Sequence, residues 1–242
     1  MVLSPGDGVG GEGFHWSPSG ADASFIFMHG LGDTGAAWGE LLNLLEAANL
    51  HTTTRLVLPT APIRPVTLNM GMRMTAWSDI RGLTVDASED KEGLMASKTR
   101  IDKIIQADIE RGISPSRILV GGFSQGGAMA YLVGLTSSYA LGGIVGLSSW
   151  CPLGKEIKVS NKYIEEGIPA ILHCHGSADD IVRSVYGQTS VESIRNRFID
   201  MGAKPEICEE KIKFILYPNM MHSVSTEELN EVKTFLINLL RN

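Results

Sequence analysis

The chain has 242 residues, 43% of them hydrophobic, with a formal net charge of −6. That length and apolar content suit one large domain with a buried core, and no composition shift divides it in two. No Lys/Arg cluster interleaves with aromatic residues, so a nucleic-acid backbone finds no electrostatic footprint.

Residues 1–22 are rich in glycine and small polar residues and are expected to form a flexible N-terminal tail. They carry no basic segment followed by an apolar stretch, so a secretory signal is not expected. The chain opens Met1-Val2-Leu3, without the glycine that myristoylation requires, and its first cysteine is Cys151. No apolar run reaches the roughly 20 residues needed to span a bilayer, which leaves only peripheral membrane contact. Cys151, Cys174 and Cys208 are odd in number and lack CxxC spacing, which points to a reducing compartment. A cytoplasmic location is the expectation.

Phe25 to Met28 is a short apolar run of strand type, followed by a loop from His29 to Asp33 and a helix-period segment from Ala36 to Asn49. Leu56 to Leu58 reads as the next strand. The long stretch from Pro59 to Asp90 shows little periodicity, and loops of that length in compact domains are usually functional or disordered. A helix is expected over Lys91 to Arg111, a strand over Ile118 to Val120 and a helix over Gly126 to Ser137. Strands follow at Gly143 to Leu147 and Ala170 to Cys174, then a helix at Val185 to Met201. A strand at Lys213 to Leu216 and a helix at Thr226 to Leu240 complete the series. This alternation predicts an α/β fold over residues 23–242: a mostly parallel sheet with helices on both faces and no large cap domain.

In such sheets, functional groups gather on the loops that leave the carboxyl ends of the strands. One of these loops carries Gly122-Phe123-Ser124-Gln125-Gly126, the strand–glycine–serine–helix pattern of a nucleophile elbow. Among 27 glycines the pentapeptide alone says little, and its neighbours decide. The loop after Cys174 brings Asp179 and Asp180, and the loop after Leu216 brings His222. The order serine, acid, histidine is that of the α/β-hydrolase arrangement. Of the six histidines, only His222 lies on a late loop with the final helix still to come. The two adjacent aspartates are not separated by spacing. Two backbone N–H donors are needed for an oxyanion, and their positions fall on Leu31 and Gln125, with the His29 side chain read as structural. The run Gly30 to Gly35 lacks the P-loop lysine and the dinucleotide spacing, and no zinc-type ligand set occurs. Neither a cofactor nor a metal is implied.

With these residues in hand, the chain resembles the acyl-protein thioesterases of the phospholipase/carboxylesterase branch of the α/β-hydrolases. The resemblance spans about residues 23–240 and rests on three segments, Phe27 to Gly35, Pro59 to Thr67 and Gly121 to Ala128. Leu147 to Trp150, His175-Gly176 and Met221-His222-Ser223 add to it. It implies a serine hydrolase that removes S-palmitoyl or similar acyl groups from protein cysteines, with carboxylesterase and lysophospholipase activity. Substrates would be S-acylated proteins or acyl lipids, and the enzyme would be a monomer or weak homodimer without cofactor. The family's acid follows the His-Gly pair by three residues, which selects Asp179, with Asp180 standing where the family carries proline. Ser78 replaces the middle residue of a Trp-Phe-Asp pattern. An acyl channel is implied from Trp77, Leu83, Trp150 and Leu153. The competing readings are a short-acyl carboxylesterase or deacetylase, a ligand receptor on the same fold, and an inactive scaffold.

Overall fold

The strand–helix alternation closes into a single eight-stranded sheet in a computed structural model that describes residues 1–84 and 87–241. Val85, Asp86 and Asn242 lie outside the described residues, and with them a small part of the Pro59–Asp90 loop and the last residue of the expected domain. In chain order the elements begin with β1 (Ser4–Pro5), β2 (Gly13–Trp16), β3 (Ala23–Met28), α1 (Leu41–Ala47) and β4 (Thr54–Pro59). They continue with β5 (Ile63–Val66), β6 (Met72–Thr75), α2 (Lys91–Glu110), β7 (Ile118–Phe123) and α3 (Gln125–Thr136). The second half comprises β8 (Gly143–Leu147), α4 (Lys162–Glu166), β9 (Ala170–Gly176), α5 (Ser184–Asp200), α6 (Pro205–Lys211), β10 (Ile212–Tyr217) and α7 (Thr226–Leu240).

The sheet runs β1-β2-β4-β3-β7-β8-β9-β10, with β3, β4 and β7 to β10 parallel and β1 and β2 antiparallel at one edge. Successive side chains alternate between its faces. Ile26, Met28, Val57, Ile118, Val120, Ile144 and Ile171 pack with α2, α3 and α5, whereas Phe25, Phe27, Leu56, Leu58, Leu119, Val145 and Leu172 pack with α1 and α7. Both faces are therefore covered, which is why the central strands read as continuous apolar runs rather than alternating ones. α3 is buried along nearly its whole length, consistent with its Gly-Gly-Ala-Met-Ala start.

Three departures from the sequence reading have physical causes. Residues 1–22 are not a free tail. β2 pairs with β4 from Gly13↔Pro59 to Trp16↔Leu56, with Phe14 and Trp16 against the α1/α7 core. The glycines that suggested mobility build a tight turn around Asp7, which is fully buried and pairs with Arg100 at 2.9 Å. The segment between Pro59 and Asp90 contains a two-stranded hairpin, β5–β6, whose short strands give too few alternations to register as a period. The expected helix from Ala36 to Asn49 divides into a 3₁₀ turn at Gly35–Trp38 and α1, with Gly39, a poor helix former, near the join.

Candidate active site

The site is built at the carboxyl ends of β3, β7, β9 and β10. β7 ends at Phe123 and α3 starts at Gln125, so Ser124 alone makes the reversal, at φ 54° and ψ −121°. A non-glycine residue in that region costs about 1–3 kcal/mol and persists only where its surroundings enforce it. The enforcement is visible. Ser124 N–H donates to Leu147 O at 2.8 Å, and Ser149 Oγ donates to Ser124 O at 2.7 Å. A Cβ at Gly126 would stand 2.0 Å from Met28 O, and one at Gly122 would stand 2.2 Å from the carbonyl carbon of Gly126. The two flanking glycines thus let α3 sit against the ends of β3 and β7, and the serine hydroxyl is left clear of any capping bond.

Ser124 Oγ–H donates to His222 Nε2 at 3.0 Å, and His222 Nδ1–H donates to Asp179 Oδ2 at 2.7 Å. The remaining carboxylate oxygen of Asp179 accepts the N–H groups of Ile181 at 3.0 Å and Val182 at 2.8 Å. Asp179 is buried with its carboxylate turned to the imidazole, and Asp180 is exposed. The ring of Phe123 flanks His222 with centroids 4.8 Å apart, limiting imidazole rotation. Gly176 lets the two loops meet, since a Cβ there would lie 2.0 Å from Met220 O.

Behind Asp179 lies a chain of neutral side chains. His175 Nε2–H donates to Val182 O at 2.7 Å and is 3.3 Å from Asp179 Oδ2. Its Nδ1 then accepts from His173 Nε2–H at 3.0 Å, and His173 Nδ1 accepts the Tyr131 hydroxyl at 2.8 Å. Burial holds the His173 imidazole well below its ordinary range and lowers His175 as well, although Val182 O and Asp179 pull His175 the other way. Neither is hydrogen-bonded to Ser124, whose hydroxyl meets His222 alone.

The N–H of Gln125 belongs to the first turn of α3, where a helix leaves its donors without intrahelical acceptors. Leu31 N–H has no turn or loop acceptor among the described residues, whereas Gly32 N–H is bound to Thr75 O at 2.8 Å and Asp33 N–H to Gly30 O at 3.3 Å. The Leu31 loop and the serine are adjacent, since a Cβ on Gly30 would be 3.5 Å from Ser124 Cβ. Both N–H groups are thus available to an oxyanion.

Trp77, expected in the acyl channel, lies elsewhere. It is fully buried, and its Nε1–H donates to His29 O at 2.8 Å while its backbone N–H donates to Gln125 Oε1 at 3.0 Å. The Gln125 amide in turn donates to Ser78 O at 2.8 Å. Trp77 therefore braces the two donor loops against each other from behind. Its buried N–H needed a partner, which an apolar channel wall could not supply.

Leu83, Trp150 and Leu153 do line a cavity of about 910 Å³, which reaches Gln125 beside the serine and Val182 beside the acid. Ser78 forms part of its wall. Glu89 crosses it, accepting from Trp150 Nε1–H at 3.4 Å and from the Leu153 N–H, so residues near 89 are tied to the opposite side. Cys151 also faces the cavity, but burial pushes its thiol up to about 12 and removes it as a rival nucleophile at neutral pH. Among the described residues no cluster of three or more His, Cys, Asp or Glu side chains is arranged to hold a metal. No helix among them is long and apolar enough to cross a membrane. Sequence reasoning missed Ser149, the Trp77 brace and the Glu89 tie. Ser149 lies within the Leu147–Trp150 segment of the family resemblance, which carries no sign of its bond to Ser124 O.

Comparison with known proteins agrees with this geometry. The profile of the phospholipase/carboxylesterase family matches residues 17–240. A protein of Mycosarcoma maydis named acyl-protein thioesterase 1 is 38% identical over 245 aligned positions, covering 98% of this chain and 95% of that protein. A Gibberella zeae protein of the same name is 40% identical, covering 88% and 89%. The crystal structure of Zea mays acyl-protein thioesterase 2 superposes with a TM-score of 0.77 at 30% identity, covering 95% of this chain and 99% of that one. A serine–histidine–aspartate relay on an elbow, on this fold and with these relatives, places the chain in the phospholipase/carboxylesterase family of α/β-hydrolases, and it is a hydrolase.

Proposed function

We propose that the chain is an acyl-protein thioesterase in which Ser124 is the nucleophile, His222 the general base and Asp179 the group that orients and stabilises the imidazolium. Ser124 Oγ attacks the acyl carbonyl as its proton passes to His222 Nε2. The tetrahedral oxyanion accepts hydrogen bonds from the N–H groups of Leu31 and Gln125. Its collapse expels the thiol, which takes the proton from His222, and leaves an acyl ester on Ser124. Water activated by the same imidazole then releases the acid.

The observation that carries this reading is the continuous Ser124–His222–Asp179 relay, at 3.0 and 2.7 Å, opening beside a cavity of about 910 Å³. That volume lies toward the upper end of the roughly 300–1,000 Å³ usual for ligand pockets, room for a long acyl chain rather than an acetyl group. Each buried methylene adds about 0.8 kcal/mol of binding, so a deep channel rewards length. A cysteine thiol, with a pKa near 8.5, also leaves far more readily than an amide nitrogen. S-acylated proteins are the favoured substrates, with acyl lipids and small esters as further ones. The enzyme acts in the cytoplasm as a monomer or weak homodimer, touching membranes only peripherally. The test is kcat/KM over acyl esters of about two to sixteen carbons, repeated on an S-acylated cysteine peptide, with Ser124→Ala and His222→Ala as controls. Long-chain preference with peptide turnover supports the reading. An optimum at the shortest acyl groups with an inert peptide makes the enzyme a short-acyl esterase, and a single burst without turnover makes it a receptor.

A further inference from the structure

His29 is fully buried, and its imidazole is held at both nitrogens. Ala61 N–H donates to Nε2 at 2.9 Å, so Nε2 carries no proton, and the proton resides on Nδ1, which donates to Gly30 O at 2.6 Å. Burial keeps this imidazole below its ordinary pKa range, with Gly30 O and Asp33 opposing and Arg100 assisting, in keeping with the neutral tautomer that the two hydrogen bonds require.

Gly30 O and Leu31 N belong to one peptide unit. In a planar trans peptide the C=O and N–H point in opposite directions, so fixing the carbonyl aims the N–H the other way. We propose that neutral His29 is a positioning residue for the reaction: its Nδ1–H clamps Gly30 O and thereby aims Leu31 N–H at the developing oxyanion. This inference rests on the oxyanion role of Leu31 in the proposed function and adds a requirement for one imidazole tautomer.

The clamp is anchored on its far side. Ala61 follows Thr60, whose N–H donates to Glu12 O at 2.8 Å, whose Oγ1 accepts Gly35 N–H at 3.0 Å and whose carbonyl accepts from Arg100. The His29 carbonyl is held by Trp77 Nε1–H, and the two rings lie 5.2 Å apart. The imidazole is thus positioned from two directions, by Ala61 at the β4 exit and by Trp77, neither of which lines the cavity.

Three variants separate the roles of the two nitrogens. His29→Asn keeps an N–H near the Nδ1 position, His29→Gln keeps an acceptor near the Nε2 position, and His29→Phe keeps bulk and loses both. Each is measured per active site, by titration of Ser124 with an organophosphonate, so that misfolded protein does not count. Removing an oxyanion donor outright lowers kcat by about 10²–10³-fold, and a misaimed donor is expected to cost roughly 10–100-fold in His29→Phe. KM should stay within about twofold, because substrate binding does not use this donor. His29→Asn should recover most of the loss and His29→Gln little. Affinity for an alkyl boronic acid, which forms a tetrahedral adduct with the serine, should fall in step with kcat, while affinity for the product fatty acid holds. A His29→Phe enzyme with unchanged kcat, or one whose boronate and product affinities fall together, overturns the proposal. So does equal activity of the Asn and Phe variants. Ser124→Ala run alongside distinguishes the failure of this inference from failure of the underlying one, since turnover surviving in Ser124→Ala would dismiss the serine mechanism itself.

Discussion

Replacing Asp7 by alanine tests whether the N-terminal segment belongs to the fold. The buried carboxylate accepts from Arg100 Nη2 at 2.9 Å, Val9 N–H at 3.0 Å and Gly11 N–H at 2.8 Å. A hydrogen bond to a charged group contributes about 1.5–3 kcal/mol and each backbone bond about 0.5–1.5 kcal/mol. Arg100 keeps the carbonyls of Thr60 and Glu12 as acceptors and is 23% exposed, so water relieves part of the loss. A net cost of about 3 kcal/mol follows, which for a domain of this size lowers Tm by about 6–12 °C. Differential scanning calorimetry at pH 7 measures it. The pH dependence supplies a second check. Burial opposes the charge on Asp7, but Arg100 and the two N–H groups outweigh it and hold the carboxyl below its ordinary value of 3.8. A depressed folded-state pKa stabilises above the unfolded value and loses that contribution as pH falls through the folded value. The gap between wild type and variant should therefore narrow below about pH 4. A Tm change under about 2 °C at pH 7 would refute the view that residues 1–16 are built into the sheet.

Asp179→Asn should reduce kcat/KM by about 10⁴-fold, because the amide no longer fixes the tautomer of His222, whereas Asp180→Asn should change it by less than about threefold. Steady-state kinetics on a chromogenic ester decides, and equal effects at the two positions would contradict the assignment. Glu228 is fully buried with neither carboxylate oxygen hydrogen-bonded among the described residues, and burial raises its pKa from 4.5 to about 7, the nearby backbone N–H of Ser225 opposing. The folded state then binds more protons than the unfolded one between those values, so this group's contribution falls as pH rises from about 4.5 to 7. Glu228→Gln should be more stable than wild type by up to roughly 3 kcal/mol at pH 8 and little different at pH 4. Urea denaturation at the two pH values measures this, and a variant less stable at pH 8 would show that the carboxylate has a partner.

The fold, and the loops that carry Ser124, Asp179 and His222, were legible because they are written in short segments. Buried parallel strands are continuous apolar runs, and Gly143–Leu147 was bounded correctly from that signal alone. The elbow was legible because a one-residue reversal tolerates little but glycine at the positions facing β3 and α3. What escaped depends on contacts between distant segments. Asp7 reads as a loop residue until Arg100, 93 positions away, is brought beside it. Trp77 stands as channel wall only through the family resemblance, and the partners of its two N–H groups reveal a brace. Asp179 and Asp180 are separated by backbone direction, which spacing does not encode and the family pattern does.

Trapping the acyl-enzyme is the most direct measurement. The protein is mixed with an S-palmitoylated cysteine peptide, quenched in acid within the first turnover, digested and examined by mass spectrometry. The expected result is a palmitoyl ester on the peptide containing Ser124, short-lived in wild type and absent from both Ser124→Ala and His222→Ala. Turnover of the peptide by Ser124→Ala, or an acyl group found on Cys151 instead, would contradict the assignment of Ser124 as nucleophile.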